Sequence, residues 1–472
     1  MFIVKFKKVK LNKVVEAGGW YTLSNFFVRG MEFLTIPVFT RLLTTEEYGI
    51  VSLYYTWVAL FTIILSLNLV VNVGRGKYDF KDDYDNFLAS LTFLSFLLFL
   101  FYLIIFIIFN GFFLEITNLT KLLFFLMVFQ AYFSFIRQFT LLKLKFDYKY
   151  KTASVINILF SLLGLFLSIF FIINFFEENK YLGQILGSWI VIILLGVFCA
   201  VYLLLKRGKL FSWRYWKYGL SLSIPLILHN LSNIANAQFD RIAINKYIGD
   251  AETGIYSFAY NIGMIVSVLM ISLNEAWVPW MYEKLNNNQF SILLERAKIY
   301  RNIFSLLFTL ILFISPELIK IMASEEYWAG LYIIPWIFMA YYFQFMYIFE
   351  VNVEFFYKKT GLISLGTISS ALINIILNII FVPQYGFIAA AITTVISFFL
   401  LFLFHYIITN KIIKVNVFGA KFHFISIIQG SLIIIVFFLI ENLVIIRYLL
   451  IFSLIFIGFI YFKKILNNKL LE

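Results

Sequence analysis

Along nearly its whole length the chain alternates apolar stretches of about 20 residues or more with short polar connections, and that pattern leaves few folds open. A stretch of that length spans a bilayer as an α-helix, whereas a membrane barrel is built from shorter strands of alternating polarity. Of 472 residues, 62% are hydrophobic and 13% charged, too little charge to cover a soluble domain of this size. The stretches predict about 14 membrane helices, over 15–40, 50–73, 87–109, 121–143, 152–174, 181–205, 218–246, 253–282, 299–321, 330–357, 361–382, 385–409, 421–440 and 445–462.

A net charge of +13 would suggest nucleic acid in a soluble chain, but here its distribution speaks for a membrane. Most of the 38 Lys and Arg fall in every second loop, as in Arg75–Lys81, Lys143–Lys151, Lys284–Arg301 and Lys358–Lys359. Such alternation marks the cytoplasmic side and predicts that both termini lie there, with no nucleic-acid partner. The basic segment Met1–Lys13 precedes no small-residue cleavage site and is expected to lead into a retained helix. The lone Cys199 and the scattered His229, His405 and His423 argue against a disulfide or a metal centre.

Two segments about 200 residues apart repeat one another. Phe39-Thr-Arg41, an acidic loop with Glu46 and Glu47, and Gly49-Ile-Val-Ser52 match Phe239-Asp-Arg241, a loop with Asp250 and Glu252, and Gly254-Ile-Tyr-Ser257. Phe146-Asp-Tyr-Lys149 is echoed by Phe356-Tyr-Lys-Lys359, and Tyr181-Leu-Gly183 by Tyr385-Gly386. Matching elements in the same order indicate an internal duplication. The expected organisation is a six-helix bundle over 1–210, a second over 211–410 and a terminal helix pair over 411–472.

Within spans so rich in Phe, Leu and Ile, a charge is the informative residue, because each costs about 2.5–3.5 kcal/mol at mid-helix. Arg29 and Glu32, at i and i+3 of the first helix, share a face and can pair or line a polar interior. Arg137 lies equally deep in the fourth. His229, Asn233, Asn236 and Asp240 form a polar stripe on the seventh helix, ending at Arg241. Such a stripe serves either as a hydrogen-bonded helix seam or as the lining of a wet path. Glu275, Glu350 and Glu354 are carboxylates inside the eighth and tenth helices. For Glu354 the competing account is a salt bridge with Lys358 at the headgroup level.

No phosphate-cradling loop, metalloprotease helix or nucleophile elbow is present, and no loop is long enough to assemble an extramembrane active site. The chain is therefore not expected to be an enzyme or to need a cofactor. Uphill movement of a substrate would then draw on an ion gradient, of H⁺ or Na⁺. Glu275, Glu350 and Glu354 are the expected coupling groups, with Asp240 on the outer half of the path.

Pro37-Val-Phe-Thr-Arg41-Leu-Leu-Thr-Thr-Glu46-Glu47-Tyr48-Gly49 resembles the end of the first helix in bacterial polysaccharide repeat-unit flippases. So do Asp240-Arg241 with Gly254-Ile255-Tyr256-Ser257, and Tyr385-Gly386 with Ala389–Ala391. These flippases belong to the multidrug/oligosaccharidyl-lipid/polysaccharide (MOP) exporter superfamily. The resemblance implies an all-α integral membrane protein with a MATE-like fold, two pseudo-symmetric bundles around a cationic cavity, and a lipid-facing groove at helices 13 and 14. It implies rocker-switch transport of undecaprenyl-pyrophosphate-linked oligosaccharide, of O-antigen or capsule type, across the bacterial inner membrane. Arg29, Glu32, Arg137, His229, Asn233, Asn236, Asp240 and Arg241 would then face substrate. Membrane lipids and the polymerase and chain-length proteins of the same pathway would be partners of a monomer. A small-molecule cation exporter of the same superfamily is the nearest alternative, disfavoured by the terminal pair and by Arg29. A membrane enzyme of glycan assembly is disfavoured by the short loops.

Overall fold

A computed structural model describes residues 20, 24, 26–205 and 210–467, the last four without their side chains. The segment Met1–Lys13 and the start of the first expected helix lie outside the described residues. The described chain is helical throughout: α1 (26–42), α2 (Thr45–Ser66), α3 (Asn72–Asp79), α4 (Tyr84–Ile108), α5 (Asn110–Thr117), α6 (Lys121–Phe146), α7 (Tyr150–Asn174) and α8 (Lys180–Leu204). There follow α9 (Trp213–Tyr247), α10 (Asp250–Asn286), α11 (Phe290–Met322), α12 (Ile334–Phe356), α13 (Thr360–Ile407), α14 (Gly419–Ile440) and α15 (Val444–Asn467).

By length and composition, 11 helices among the described residues can cross a membrane, so this is a multi-pass membrane protein. One of them, α13, holds two of the expected spans, because Gly386 (φ 73°, ψ −163°) interrupts its helical geometry just after Pro383. That backbone conformation is open to glycine alone at little cost. The remaining expected spans are α1 and α9, the latter carrying the polar stripe. One expectation needs correction. The connection left between the expected helices 253–282 and 299–321 is almost entirely helix, since α10 runs to Asn286 and α11 begins at Phe290. Its polar residues extend the helices beyond the apolar stretch, with Leu293, Ala297 and Arg301 buried at four-residue spacing.

Contacts group the described residues into two compact units. One holds residues up to Ile234 together with Gly249–Thr253; the other holds Ala235–Ile248 and residues from Gly254 on. Helix α9 is divided between them. In the first unit, α2 begins with a capping box. Thr44 Oγ1 accepts from the Glu47 amide and Glu47 Oε2 accepts from the Thr44 amide, both at 3.2 Å. Glu47 Oε1 also accepts from the Lys180 amide at 2.7 Å, which ties the start of α8 to that of α2. The acidic loop motif is thus structural. Helices α7 and α8 pack at backbone distance because Gly187 lies against the main chain of Ser168 and Gly183 against that of Ile172. The first half of α9 is fastened by Tyr215 to Asp83 (2.6 Å), the Trp216 indole to the Ser90 carbonyl (3.1 Å) and the Asn72 amide to Ser223 Oγ (2.7 Å).

In the second unit α12 is the most enclosed helix, buried along most of Ile334–Glu354. Its aromatic residues pack on α11, where the Phe304 and Phe345 rings stack 3.8 Å apart. The second half of α13 and α14 complete the enclosure, so any polar side chain on α12 must find its partner within the protein.

Candidate functional site

In the first unit, Arg29 and Glu32 are exposed on α1, and Glu32 lies within electrostatic reach of both Arg29 and Arg137. The Arg137 guanidinium sits over the Phe160 ring at 5.3 Å, and its buried Nε has no hydrogen-bond partner among the described residues. A desolvated guanidinium with spare donors is the group that would welcome an anionic ligand. The adjacent Gln138 lines two cavities, one of about 340 Å³ with Lys145, Ser154 and Asn157, and one of about 240 Å³ with Thr62, Asn68 and Asn230. His229 Nε2 is 3.3 Å from Asn233 Nδ2, and the Asn233 side chain is exposed. The upper part of the stripe is therefore accessible.

Beyond Ile234 the stripe changes character. Asn236 is buried, donating to the Thr367 carbonyl at 3.2 Å and accepting from Ser370 Oγ at 3.2 Å. The Asp240 carboxylate is enclosed and accepts from Tyr256 OH (2.6 Å), Asn378 Nδ2 (2.8 Å) and Thr394 Oγ1 (2.8 Å). Arg241 donates to Ser257 Oγ at 3.2 Å and to the Ala237 carbonyl at 3.0 Å, with its guanidinium 4.9 Å from the Tyr260 ring centre. These residues knit α9 to α10 and to both halves of α13.

Of the three carboxylates assigned to coupling, Glu275 is exposed on α10. Glu350 and Glu354 are buried on α12. Glu350 Oε1 lies 2.6 Å from His423 Nε2 of α14, and Glu354 Oε1 lies 2.7 Å from His405 Nδ1 of α13. Glu354 thus turns inward to an imidazole rather than outward to Lys358. Elsewhere in the unit, α11, α14 and α15 enclose a groove of about 610 Å³ lined mainly by apolar side chains such as Leu306, Phe313, Leu432, Leu454 and Ile457. Arg447 anchors the start of α15 through an ion pair with Glu317 of α11.

The family model described as polysaccharide biosynthesis protein matches residues 14–285, more than half of the chain. The chain belongs to that family. Among curated relatives, the Lsg locus putative protein 1 of Haemophilus influenzae is 23% identical over 391 residues, covering 77% of this chain and 90% of the relative. An uncharacterized membrane protein of the same organism is 24% identical over 378 residues, 76% of this chain and 88% of the relative. Among solved structures, the lipid II flippase MurJ in an inward closed conformation superposes with a TM-score of 0.70 at 18% identity, covering 93% of this chain and 99% of that one. An inward-facing multidrug resistance MATE family transporter of the MOP superfamily gives 0.64 at 15% identity, covering 84% and 98%. The fold is therefore that of the MOP transporters.

The sequence does not reveal the partners of these charges. Asn378 and Thr394 carry no signal of their own in the sequence, and His405 and His423 read only as scattered histidines. A usable signal existed, since two carboxylates on one buried helix demand basic or donor partners, and these histidines lie on the two helices that follow, α13 and α14.

Proposed function

We propose that this protein is a flippase that carries undecaprenyl-pyrophosphate-linked oligosaccharide repeat units, of O-antigen or capsule type, from the cytoplasmic to the periplasmic leaflet of the bacterial inner membrane by alternating access. The observation that carries this reading is the apolar groove between α11, α14 and α15. A small soluble cation has no use for such a furrow at a terminal helix pair, whereas a polyprenyl chain must keep its apolar length in contact with lipid-like surface. Family membership and the MOP fold support the same reading. Arg29 and Arg137, balanced by Glu32, would receive pyrophosphate, and the accessible part of the α9 stripe, His229 and Asn233, would serve sugar hydroxyls, while Asn236, Asp240 and Arg241 hold the helix in place. Coupling to H⁺ or Na⁺ would run through Glu275, Glu350 and Glu354. The alternation of basic loops supports cytoplasmic termini. The protein would work as a monomer beside the polymerase and chain-length proteins of its pathway.

The test is a groove-filling substitution. In proteoliposomes, Leu432→Trp is expected to slow translocation of an undecaprenyl-linked sugar while sparing an analogue with a short prenyl chain. Equal rates for wild type and Leu432→Trp on the long-chain substrate would remove the groove from the mechanism and favour the exporter reading.

A further inference from the structure

The two carboxylate–imidazole pairs of the second unit have a geometry that simple helix seams lack. Glu350 and Glu354 lie one helical turn apart on α12, and both pairs are sealed, with side-chain exposures of 1% and 4% for Glu350 and His423 and 0% for both Glu354 and His405. Each pair uses one oxygen and one nitrogen. Glu350 Oε2, Glu354 Oε2, His423 Nδ1 and His405 Nε2 are buried without a hydrogen-bond partner among the described residues. A structural hydrogen bond would normally be satisfied at both ends. The space for His405 is itself provided by the chain, because its Nε2 occupies the place that a Cβ on Gly366 would take.

The surroundings are aromatic. Phe402, Phe418, Phe422 and Tyr406 ring His423, with Tyr406 5.1 Å away, and Tyr347 lies 4.9 Å from His405. On the elements packed against α12, the charged or titratable groups facing the pairs are few. Arg301 of α11 sits over the Phe422 ring at 5.3 Å and donates to Asn302. Tyr342 bonds Ser305 of α11 at 3.0 Å. From α10 the facing group is the neutral Asn274, which accepts from Asn352 at 2.7 Å. Glu275, Lys411, Lys414 and Lys421 are exposed. The charged neighbours of Glu354 are His405 and Glu350. No group of three or more ligating side chains converges here as a metal would require, among the described residues.

We propose that Glu350–His423 and Glu354–His405 form a buried proton-binding site whose occupancy governs how α14 packs on α12. With one proton apiece each pair is neutral overall, whether that proton sits on the carboxylate or makes the imidazole cationic. Releasing it leaves one buried negative charge, and releasing both leaves two on adjacent turns of one helix. The two losses therefore oppose each other. Such charge is costly within a bilayer, and the relief is to admit water by parting α14 from α12. Proton loss goes to that water; proton uptake lets α14 seat again. Since Leu432, Ile433 and Val436 of α14 form one wall of the groove, occupancy would set the groove's width. As a source of coupling energy the site rests on the flippase reading; as a proton-binding site it does not.

The test needs no substrate. The full chain in lipid nanodiscs carries Leu432→Cys labelled with an environment-sensitive thiol fluorophore, Cys199 being buried. Wild-type emission is expected to shift reversibly between about pH 5 and 8. His423→Gln should remove most of the shift, and His405→Gln should move its midpoint. The exchange Glu350→His with His423→Glu should keep it. An emission indifferent to pH in the wild type, or a shift that survives His405→Gln with His423→Gln, overturns the proposal. If the single variants do not fold, the exchange variant decides: folding with titration supports the site, and folding without titration overturns it. A protein that titrates yet moves no lipid-linked sugar sinks the flippase reading alone. One that moves it without titrating sinks this site alone.

Discussion

Arg41 and Arg241 each donate from Nη1 to the carbonyl four residues earlier, Pro37 and Ala237, both at 3.0 Å. The frame of the two halves is the same, but what they place in it differs. Thr40 stands where the second half has Asp240, and Val51 stands where it has Tyr256. With Phe146 aligned to Phe356, Thr140 and Leu144 occupy the positions of Glu350 and Glu354. Thr40 and Thr140 satisfy themselves on their own helix, donating to the Ile36 and Ile136 carbonyls at 3.0 and 2.9 Å. Asp240 instead requires α10 and both parts of α13, and Glu350 and Glu354 require α13 and α14. After duplication, the first half has a neutral scaffold at these points, and the second has carboxylates that hold several helices together. The arginines differ as well: Arg137 of the first half keeps a buried Nε without a hydrogen-bond partner among the described residues, whereas Arg241 of the second is held by Ser257 and the Ala237 carbonyl.

The sharpest way to break this comparison is to delete the charge. Asp240→Ala leaves Tyr256, Asn378 and Thr394 without their acceptor and should cost about 3–5 kcal/mol, as loss of a buried, fully paired charge does. Thr40→Val should cost less, about 1 kcal/mol, the worth of a neutral hydrogen bond such as that to the Ile36 carbonyl. Thermal unfolding in detergent measures both. Similar losses at the two sites would mean that the halves are energetically alike.

Arg29→Ala tests the cation exposed on α1. Losing one charge-assisted contact of roughly 1.5–3 kcal/mol should lower translocation about 10- to 100-fold with the protein still in the membrane. Arg29→Lys should recover only part, because a point charge lacks the guanidinium fork. Unchanged surface glycan in Arg29→Ala would reduce Arg29 to a neighbour of Glu32.

Much of this was legible beforehand, for physical reasons that differ by feature. Membrane spans are one-dimensional signals, so helix number and the break at Gly386 follow from hydropathy and a single Pro-x-x-Gly stretch. The extension of α10 and α11 was hidden because a helix that leaves the apolar layer reads like a loop. The Thr-Thr-Glu-Glu stretch, legible as part of the repeat and of the family resemblance, proves to be a capping box. Asp240, Glu350 and Glu354 were visible as costly charges. Tyr256, Thr394, His405 and His423 were not, because their roles depend on which helices touch, and no spacing rule encodes that.

The glycine seam sharpens the comparison further. Gly187 meets the main chain of Ser168, which cannot rotate away, whereas Gly366 meets the imidazole of His405. Gly187→Ala should therefore destabilise the first unit by about 1–3 kcal/mol, the usual cost of overpacking. Gly366→Ala should displace His405 and alter the pH response more than the melting temperature. Loss of stability without any change in that response at Gly366 would contradict the contrast.

The smallest effect is expected where the first half does pair its charges, just beyond the membrane. Asp147 follows α6 and lies between Lys77 and Lys143, each at 2.5 Å, while Lys143 also reaches Asp85 at 2.9 Å. Burial alone would push the Asp147 carboxyl upward, but the two ammonium groups outweigh it and hold the group below its ordinary range. A folded-state value below the unfolded one means stability that is present above about pH 4 and lost as pH falls through the folded value. Because the cluster borders solvent, its worth should be about 1 kcal/mol or less. Asp147→Asn should remove that much at neutral pH and nothing at low pH, so the two melting curves should converge as acid is added. If Asp147→Asn lowers stability equally at pH 3 and pH 7, the cluster acts through packing, and the surface pairing of the first half is no counterpart to the buried pairing of the second.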